Sequence, residues 1–285
     1  MSESGRPFGV VAIAALDLRR RPDHRSELRS QLLLGEIVRR RKASRDGRWW
    51  EVVNLADGYV GWVRTWGVVA RTKAEARAWR RRANARVVVP FVQVHPEPGR
   101  GPLMTPLCWN GRVVPLSTRR RHRRIELPDG RRGWIERAGV ELTPRIARVR
   151  VHAGTLARRI QGLLGTPYLW GGRTPLGLDC SSFTQQVLAE QGVALPRDAA
   201  EQFSHCAKLA LDSPLRLGDL VFFGDRRSAP AHVGIALGSG YFAHARGTVR
   251  VNSLESDNPL YDKGLSDQFR GFGRPPARLR GPRSA

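Results

Sequence analysis

One stretch of the sequence carries a residue that could act as a nucleophile. It runs from Gly165 to Gln185 and reads GTPYLWGGRTPLGLDCSSFTQ, with a helix predicted to begin around Asp179 and Cys180. A cysteine in the first turn of a helix lies at the positive end of the helix dipole, which favours thiolate over thiol. With a histidine in reach, a thiolate is a nucleophile. We therefore predict that Cys180 performs covalent catalysis.

Two histidines further along the chain could complete such a site. His232 opens the apolar segment HVGIAL, His244 closes the segment YFAHA, and the turn Gly238-Ser239-Gly240 joins the two. A hairpin of this kind can bring both imidazoles to one end of a sheet. One histidine has to accept the thiol proton and later protonate a leaving amine. The other has to hold the first in the correct tautomer, so the set predicts acyl transfer through a thioester.

The cysteine content favours this interpretation over a disulfide or zinc framework. The three cysteines, Cys108, Cys180 and Cys206, are an odd number without a CxxC pair, which is typical of a reducing compartment. Alone, a cysteine before two serines is more often a core residue, and the two histidines reverse that balance for Cys180. Cys108 and Cys206 are predicted to be core residues. No metal site and no cofactor are expected.

The charge of the chain is strongly positive. The 285 residues include 49 Lys and Arg against 25 Asp and Glu, a formal net charge of +24. Such a charge attracts polyanions, and an anionic cell-wall polymer is a candidate partner. The arginines are scattered over all segments, so we favour a solvated basic surface and do not expect nucleic acid as a partner.

The sequence contains no stretch of about 18 apolar residues that would predict a membrane span. The apolar run from Gly9 to Leu16 is short, only Arg6 precedes it as a basic residue, and the basic run 19–21 follows it closely. That order differs from a secretory signal, and the run predicts a strand. We therefore expect a cytoplasmic protein, with an extracellular or cell-wall location as the alternative.

The first half of the chain predicts two related β modules. Segments 8–70 and 86–143 alternate short apolar runs with turn residues, which predicts a small all-β barrel for each. The sequence DGYVGWV at 57–63 recurs as DGRRGWI at 129–135, an offset of 72 residues. A match at fixed offset indicates a duplicated module. The charged stretch 71–85 between the copies is predicted to be a helical linker.

The second half predicts an α+β domain over residues 150–275. Helices are expected over 156–164, 180–191 and 198–208, followed by strands over 219–223, 232–237 and 241–244. Helices followed by antiparallel strands indicate the α+β class.

In the two β modules of the first half, Trp62 and Trp134 are predicted to be core residues. The tail 276–285 is predicted to be disordered.

The second half also resembles the NlpC/P60 family of papain-like cysteine peptidases. The motifs that carry the resemblance are YLWGG at 168–172, LDCSS at 178–182, LPRD at 195–198 with Gln202, GDLVFF at 218–223, HVGI at 232–235 and HA at 244–245. As a set these motifs are specific. The shared ending of the two β modules resembles bacterial SH3-like (SH3b) domains. The resemblance implies a papain-like NlpC/P60 domain preceded by two SH3b barrels.

This resemblance assigns roles to individual residues. Cys180 would be the nucleophile, His232 the general base and His244 the group that orients His232. The main-chain N–H of Cys180 and the hydroxyl of Tyr168 would stabilise the oxyanion. Family members cleave bacterial cell-wall peptides, most often between D-γ-glutamate and a diamino acid.

Two SH3b domains before an NlpC/P60 domain resemble the subgroup that recycles muropeptides with a free N-terminal L-Ala. In that subgroup an acidic residue and a tyrosine of the first SH3b domain act with an aspartate of the peptidase domain. Glu27, Tyr59 and Asp198 stand at the matching positions. Carboxylates around a buried ammonium group would exclude peptides lengthened at that end. Further candidates for substrate contact are Trp170, Asp179 and Ser181.

The sequence departs from the family pattern at two positions. Ser182 stands where the family usually has Gly, and Ala199 stands where the subgroup often has Ser or Thr. Two other functions stay open. One is a secreted hydrolase acting on intact peptidoglycan, and the other is a non-catalytic protein whose SH3b modules bind a cell-wall polymer or another polyanion.

Overall fold

The structure, a computed structural model, describes residues 5–143 and 152–276. The chain divides into two compact units, residues 1–147 and 148–285. Except for Pro276, the tail predicted to be disordered lies outside the described residues.

The first unit begins with seven strands that form one antiparallel sheet. They are β1 (Phe8–Val11), β2 (Ala15–Arg19), β3 (Leu28–Leu33), β4 (Ile37–Ala43), β5 (Trp49–Asn54), β6 (Val60–Arg64) and β7 (Val68–Arg71). Their order across the sheet is β3-β2-β6-β5-β4-β1-β7. Alternating apolar side chains form the core of this segment, with Leu18, Val52 and Val63 fully buried.

The hydrogen-bond pattern of this sheet shows no closed barrel among the described residues, so the predicted barrel is not confirmed. Within the described residues, β3 pairs with β2, β7 pairs with β1, and the two edge strands are not joined. Closure of a barrel needs edge strands that can pair with the correct stagger. β7 has four residues and follows a 3-10 turn over Thr65–Gly67, so it offers little length for such pairing.

The predicted helical linker is a packed helix, α1 (Lys73–Arg82). Thr72 caps it, since its hydroxyl accepts from the N–H of Glu75 while the Glu75 carboxylate accepts from the N–H of Thr72. Trp79 lies on the buried face of α1, and its indole N–H donates to the carbonyl of Gly35 at 3.0 Å. The helix therefore contributes to the core of the first unit as well as connecting its two strand segments.

The second strand segment forms two smaller sheets. Its strands are β8 (Ala85–Val87), β9 (Phe91–Val94), β10 (Thr105–Cys108), β11 (Arg112–Arg119), β12 (His122–Glu126), β13 (Arg132–Glu136) and β14 (Val140–Leu142). β9 pairs with β10, and the other five follow the order β13-β12-β11-β8-β14. A second predicted barrel is therefore not seen as a closed ring among the described residues.

The internal repeat is visible in the local structure. A strand, a 3-10 turn and a strand recur as β6, Thr65–Gly67 and β7, and as β13, Arg137–Gly139 and β14. The two tryptophans of the repeat are half-buried, however, and not core residues as predicted. Strand alternation turns the neighbouring Gly61 and Gly133 inward instead, where an added Cβ would lie within 2.7 Å and 2.5 Å of a side chain.

The second unit has the α+β composition that the sequence predicts. Its helices are α2 (Ala153–Leu163), α3 (Cys180–Glu190), α4 (Ala199–His205) and α5 (Lys263–Asp267). Its strands are β15 (Arg173–Thr174), β16 (Gly177–Leu178), β17 (Ala207–Leu209), β18 (Leu220–Phe223), β19 (His232–Gly238), β20 (Tyr241–Arg246), β21 (Thr248–Ser253) and β22 (Phe269–Arg274). None of the helices in the described part of the chain combines the length and apolar character that a membrane crossing requires.

Six strands of this unit form one sheet in the order β17-β22-β18-β19-β20-β21. α3 packs against β19 and β20, and its buried side chains include Phe183 and Val187. Ser239 and Gly240 have φ angles of 47° and 72°, so the predicted turn between β19 and β20 is a tight one with left-handed residues. α4 ends at His205, earlier than predicted, because β17 begins two residues later.

Candidate active site

The start of α3 places Cys180 where the sequence predicts it. Asp179 is the N-cap of α3, and its carboxylate accepts from the N–H of Ser182 at 2.7 Å while the Ser182 hydroxyl accepts from the N–H of Asp179. Cys180 is the first residue of the helix, so its own N–H has no acceptor within the helix. That N–H is one of the donors that a developing oxyanion would need.

A buried network holds this helix start in position. The carboxylate of Asp179 accepts two hydrogen bonds from the Arg197 guanidinium, at 3.0 and 2.5 Å. It also accepts from the Ser181 hydroxyl at 3.2 Å and from the main-chain N–H of Gly171 at 2.9 Å. Both charged side chains are buried. Arg197 and Asp179 therefore form a buried ion pair, which connects the loop before α4 to the N-terminus of α3.

Asp179 and Ser181, which the sequence analysis gave as candidates for substrate contact, are turned into this network. Their side chains are buried and bonded to each other and to Arg197. This placement favours a structural role over direct binding of substrate by these two side chains. The carbonyl of Ser181 is bonded as well, since it accepts from the side chain of Gln202 at 2.9 Å.

The two candidate histidines lie in contact. β19 and β20 pair with Gly234 opposite His244, so His232 lies diagonally across from His244 on neighbouring strands. His232 Nε2 and His244 Nδ1 are 2.7 Å apart, and the two rings are nearly perpendicular. A side chain at position 234 would press on this pair, because an added Cβ would lie 3.2 Å from the Cβ of His244.

A third polar side chain continues this row. His244 Nε2 lies 3.0 Å from Oδ1 of Asn252, which is on β21. Asn252 is not among the residues predicted from the sequence, because the predicted strands end at residue 244. Its alternating pattern TVRVNS next to the β20 hairpin is the signal that could have placed Asn252 beside His244.

The thiol of Cys180 lies against the first residues of β19. Its Sγ is 3.9 Å from the carbonyl oxygen of Ala231, the residue before His232. The main-chain N–H of Val233, the residue after His232, also donates to the sulfur. The nucleophile candidate is therefore close to the backbone on both sides of His232.

Burial favours the neutral form of both the Cys180 thiol and the His232 imidazole. Burial, with a smaller contribution from the Asp179 carboxylate, raises the pKa of the Cys180 thiol to about 12. Burial, followed by the neighbouring His244 and Arg246, lowers the pKa of His232 to about 3. The expectation that the helix start alone favours a thiolate is corrected, because desolvation outweighs the helix dipole here. A thiolate would form when His232 takes the proton.

Tyr168 lies close to the nucleophile. Burial is the main cause that raises the pKa of its hydroxyl to about 12, and the neighbouring Cys180 and Asp179 act in the same direction. The hydroxyl therefore stays protonated at neutral pH and can donate. The main chain holds Tyr168 in place, since its N–H donates to the carbonyl of Gly247 at 2.8 Å.

Trp170 and Asp198 occupy the surface of the same unit. Trp170 is 61% exposed in the turn before Gly171. Asp198 is half-buried at the N-cap position of α4, where its side chain makes no capping hydrogen bond. Both are accessible to a ligand, and their predicted contacts with substrate stay predictions.

Glu27 and Tyr59 belong to the first unit. Glu27 precedes β3 and lies 3.5 Å from Arg20. Tyr59 precedes β6, with the Arg29 guanidinium 4.7 Å from its ring centre. Glu27 and Tyr59 each precede a strand that pairs with β2. Their role in binding a free amine stays a prediction.

The other two cysteines are buried, as predicted. Cys108 donates from its thiol to the carbonyl of Ala14 at 3.1 Å. Burial raises the pKa of Cys206 to about 12. Within residues 5–143 and 152–276, no group of three or more His, Cys, Asp or Glu side chains is arranged to hold a metal ion.

Comparison with protein families identifies two parts of the chain. Residues 165–268 match the NlpC/P60 family, and residues 18–66 match the bacterial dipeptidyl-peptidase SH3 domain. The predicted NlpC/P60 domain and a bacterial SH3 domain before it are thereby confirmed.

Curated relatives match over less than half of the chain. "Probable endopeptidase p60" of Listeria seeligeri is 40% identical over 39% of this chain and 20% of its own length. "Gamma-D-glutamyl-L-lysine dipeptidyl-peptidase" of Bacillus subtilis is 36% identical over 38% of this chain and 38% of its own length. The chain thus spans less than half of each of these relatives.

A solved structure extends the likeness to most of the chain. An NlpC/P60 family protein from Bacillus cereus superposes with a TM-score of 0.79, at 21% identity, over 94% of this chain and 99% of the other. At this identity the likeness shows the fold.

Proposed function

We propose that this chain, which carries an NlpC/P60 domain and a bacterial SH3 domain, is a cysteine peptidase that hydrolyses cell-wall muropeptides. The observation that carries the proposal is Cys180 at a helix start, with its sulfur 3.9 Å from the carbonyl of Ala231, the residue before His232, and His244 in contact with His232. Relatives named as peptidoglycan endopeptidases and dipeptidyl-peptidases support the substrate class.

The proposed reaction begins with proton transfer from the Cys180 thiol to His232. The sulfur then attacks the carbonyl carbon of the scissile amide and forms a tetrahedral intermediate. His232 gives its proton to the leaving amine, the C–N bond breaks and a thioester remains. His232 next takes a proton from water, which attacks the thioester carbon and releases the acid and the thiol.

The oxyanion of both intermediates would be stabilised by the main-chain N–H of Cys180 and the Tyr168 hydroxyl. The raised pKa of Tyr168 keeps the donor proton in place at neutral pH. Removing one such donor typically costs about 10²–10³ in kcat.

The finer proposal is that the scissile bond joins D-γ-glutamate to a diamino acid in a peptide with a free N-terminal L-Ala. Support comes from the match of residues 18–66 to the SH3 domain of dipeptidyl-peptidases and from the relatives' names. In this proposal Asp198, Glu27 and Tyr59 recognise the ammonium end of the peptide.

We also propose that residues 86–143 are a second, diverged SH3b module. The repeated order of strand, 3-10 turn and strand supports this.

The test is hydrolysis of L-Ala-γ-D-Glu-diaminopimelate, followed by release of the dipeptide. We expect cleavage by the native chain and loss of cleavage, by at least about 10³-fold, in Cys180→Ala. Cys206→Ala is the matched control, because it removes another buried thiol, and we expect it to keep activity. Absence of cleavage by the native chain, or undiminished cleavage by Cys180→Ala, would disprove the proposal.

A second candidate function is hydrolysis of stem peptides in intact peptidoglycan. The relatives named "Probable endopeptidase p60" and "Probable peptidoglycan endopeptidase LytE", at 36–40% identity, favour it. An N-acetylated tripeptide separates the two candidates. Cleavage of the acetylated peptide at the rate of the free peptide would favour the second candidate and contradict the free-amine proposal.

An anionic cell-wall polymer as a partner is supported only by the net charge of the sequence.

A further inference from the structure

We propose that Asn252 is a positioning residue that sets the tautomer of His244 and, through it, the tautomer of His232. The catalytic role of Asn252 rests on the proposed function. The hydrogen-bond geometry around Asn252 does not depend on that function. Asn252 is buried on β21, one strand away from His244.

The orientation of the Asn252 side-chain amide is fixed from two sides. The Arg250 guanidinium can only donate, and its Nε lies 3.0 Å from Asn252 Oδ1. The main-chain carbonyl of Leu260 can only accept, and it lies 2.9 Å from Asn252 Nδ2. The oxygen of Asn252 therefore faces Arg250 and His244, and the NH₂ group faces Leu260.

This orientation determines where His244 carries its proton. Oδ1 of Asn252 is an acceptor, so the His244 nitrogen 3.0 Å away, Nε2, has to carry the hydrogen. In a neutral imidazole the other nitrogen is then an acceptor. His244 Nδ1 therefore accepts from Nε2–H of His232 at 2.7 Å.

The tautomer of His232 determines which of its nitrogens can accept the proton of Cys180. With its hydrogen on Nε2, neutral His232 has an unprotonated Nδ1, and this nitrogen is the one that can accept the thiol proton of Cys180. One amide orientation thus sets a single direction of hydrogen bonds from His232 through His244 to Asn252. Were the amide reversed, the NH₂ group would face His244 Nε2, and both histidines would shift to the other tautomer.

The burial of His244 strengthens the control that Asn252 has over its tautomer. The side chain of His244 has no exposed surface, and the ring of Phe242 lies 5.1 Å from its ring. Solvent therefore cannot easily replace Asn252 as the acceptor for Nε2–H. A buried polar group left without its partner is costly, so the tautomer follows the protein donor and acceptor.

Burial is the main cause that keeps His244 neutral, and its charged neighbours act in both directions. Burial lowers the pKa of His244, the Arg250 and Arg246 guanidinium groups lower it further, and Asp262 and the hydrogen bond to Asn252 act in the opposite direction. Arg246 and Asp262 form an ion pair at 3.1 Å, so their effects partly cancel.

The direct test reads the tautomers by ¹⁵N NMR of the full chain labelled at histidine, with signals assigned by single His→Gln variants. Protonated and bare imidazole nitrogens have well separated shifts. We expect Nε2–H on both His232 and His244 at pH 7. A proton on Nδ1 of His244 would overturn the proposal, and this measurement does not depend on the enzyme having the proposed substrate.

Two variants then connect the tautomer to catalysis. Asn252→Leu removes the acceptor at similar size, and we expect mixed tautomers and a fall in kcat of about 10- to 100-fold, the scale seen when a partner that orients a functional histidine is lost. Asn252→Asp supplies a carboxylate that favours protonated His244. We expect the acid limb of its pH–rate profile to move to higher pH, since Nδ1–H of His244 would then oppose Nε2–H of His232.

Asn258→Leu is the matched control. Asn258 lies in the loop that carries Leu260, accepts from the N–H of Leu260 and donates to the Tyr241 hydroxyl, so its loss perturbs the loop without touching the histidines. We expect unchanged histidine tautomers and pH profile. The proposal would be overturned if both Asn252 variants kept the wild-type tautomers, kcat and pH profile. Thermal unfolding of each variant shows whether a change in kcat or pH profile comes from misfolding instead.

Discussion

At the scale of single residues, burial favours a neutral Cys180 thiol and a neutral His232 imidazole. The helix start and the N–H groups of Ser181 and Val233 favour the thiolate, but burial and Asp179 oppose it more strongly. In the proposed mechanism, the thiolate therefore forms by proton transfer from Cys180 to His232. This is a reason for the row of hydrogen bonds behind His232 to be well defined.

Tyr168→Phe tests the oxyanion role. Loss of the hydroxyl should lower kcat by about 10²–10³ with little change in KM, because the donor acts on charge that develops only in the intermediate. Steady-state kinetics on the tripeptide measure this. Tyr241→Phe is the control, since its hydroxyl accepts from Asn258 instead. A rise in KM at constant kcat would assign Tyr168 to substrate binding.

At the scale of elements, the site depends on how α3 is anchored and how β19, β20 and β21 are registered. The α3 start is held by the buried pair of Asp179 and Arg197, and Gln202 connects α4 to α3 through the carbonyl of Ser181. The strand register places His232, His244 and Asn252 on three consecutive strands. Residues far apart in sequence thereby form one continuous row.

Arg197→Met should destabilise the second unit by about 3–5 kcal/mol, because it leaves the Asp179 carboxylate buried without its cation. Arg197 is 1% exposed and cannot be replaced there by solvent. Thermal unfolding of the full chain measures the loss. Lys263→Met is the control, since it removes an exposed ion pair with Asp267 and should change stability by less than about 1 kcal/mol. Equal effects of the two variants would contradict this account.

At the scale of the whole molecule, the buried histidines couple stability to pH. The pKa of His232 falls from 6.5 in the unfolded chain to about 3 in the folded one. Between these values the unfolded chain binds a proton that the folded chain does not, so stability is present above pH 6.5 and is lost as pH falls toward 3. Each such proton contributes at most about 1.4 kcal/mol per pH unit.

His232→Gln should therefore make unfolding less dependent on pH in this window. Melting temperatures of the two proteins between pH 7 and pH 4 give the comparison. We expect the native chain to lose more stability than the variant as pH falls. Parallel curves would show that His232 is not held neutral by folding.

Much of the site could be predicted from the sequence because its motifs are local. LDCSS at 178–182 specifies an N-cap and a helix start, and HVGIAL and YFAHA around a Gly-Ser-Gly turn specify a hairpin. Asn252 could not be selected in this way, since its role depends on pairing between β20 and β21. The two predicted barrels stay unconfirmed for a related reason, because strand alternation does not reveal which edge strands pair.

The sequence by itself determined the chemistry: a cysteine at a helix start, two histidines on a hairpin and an α+β domain around them. Tertiary structure decided how these groups are protonated. Burial raised the pKa of Cys180 and lowered that of His232, and the fixed amide of Asn252 selected one tautomer for the row. Desolvation and hydrogen-bond direction both arise from neighbours that are distant in sequence, so only the folded chain can set them.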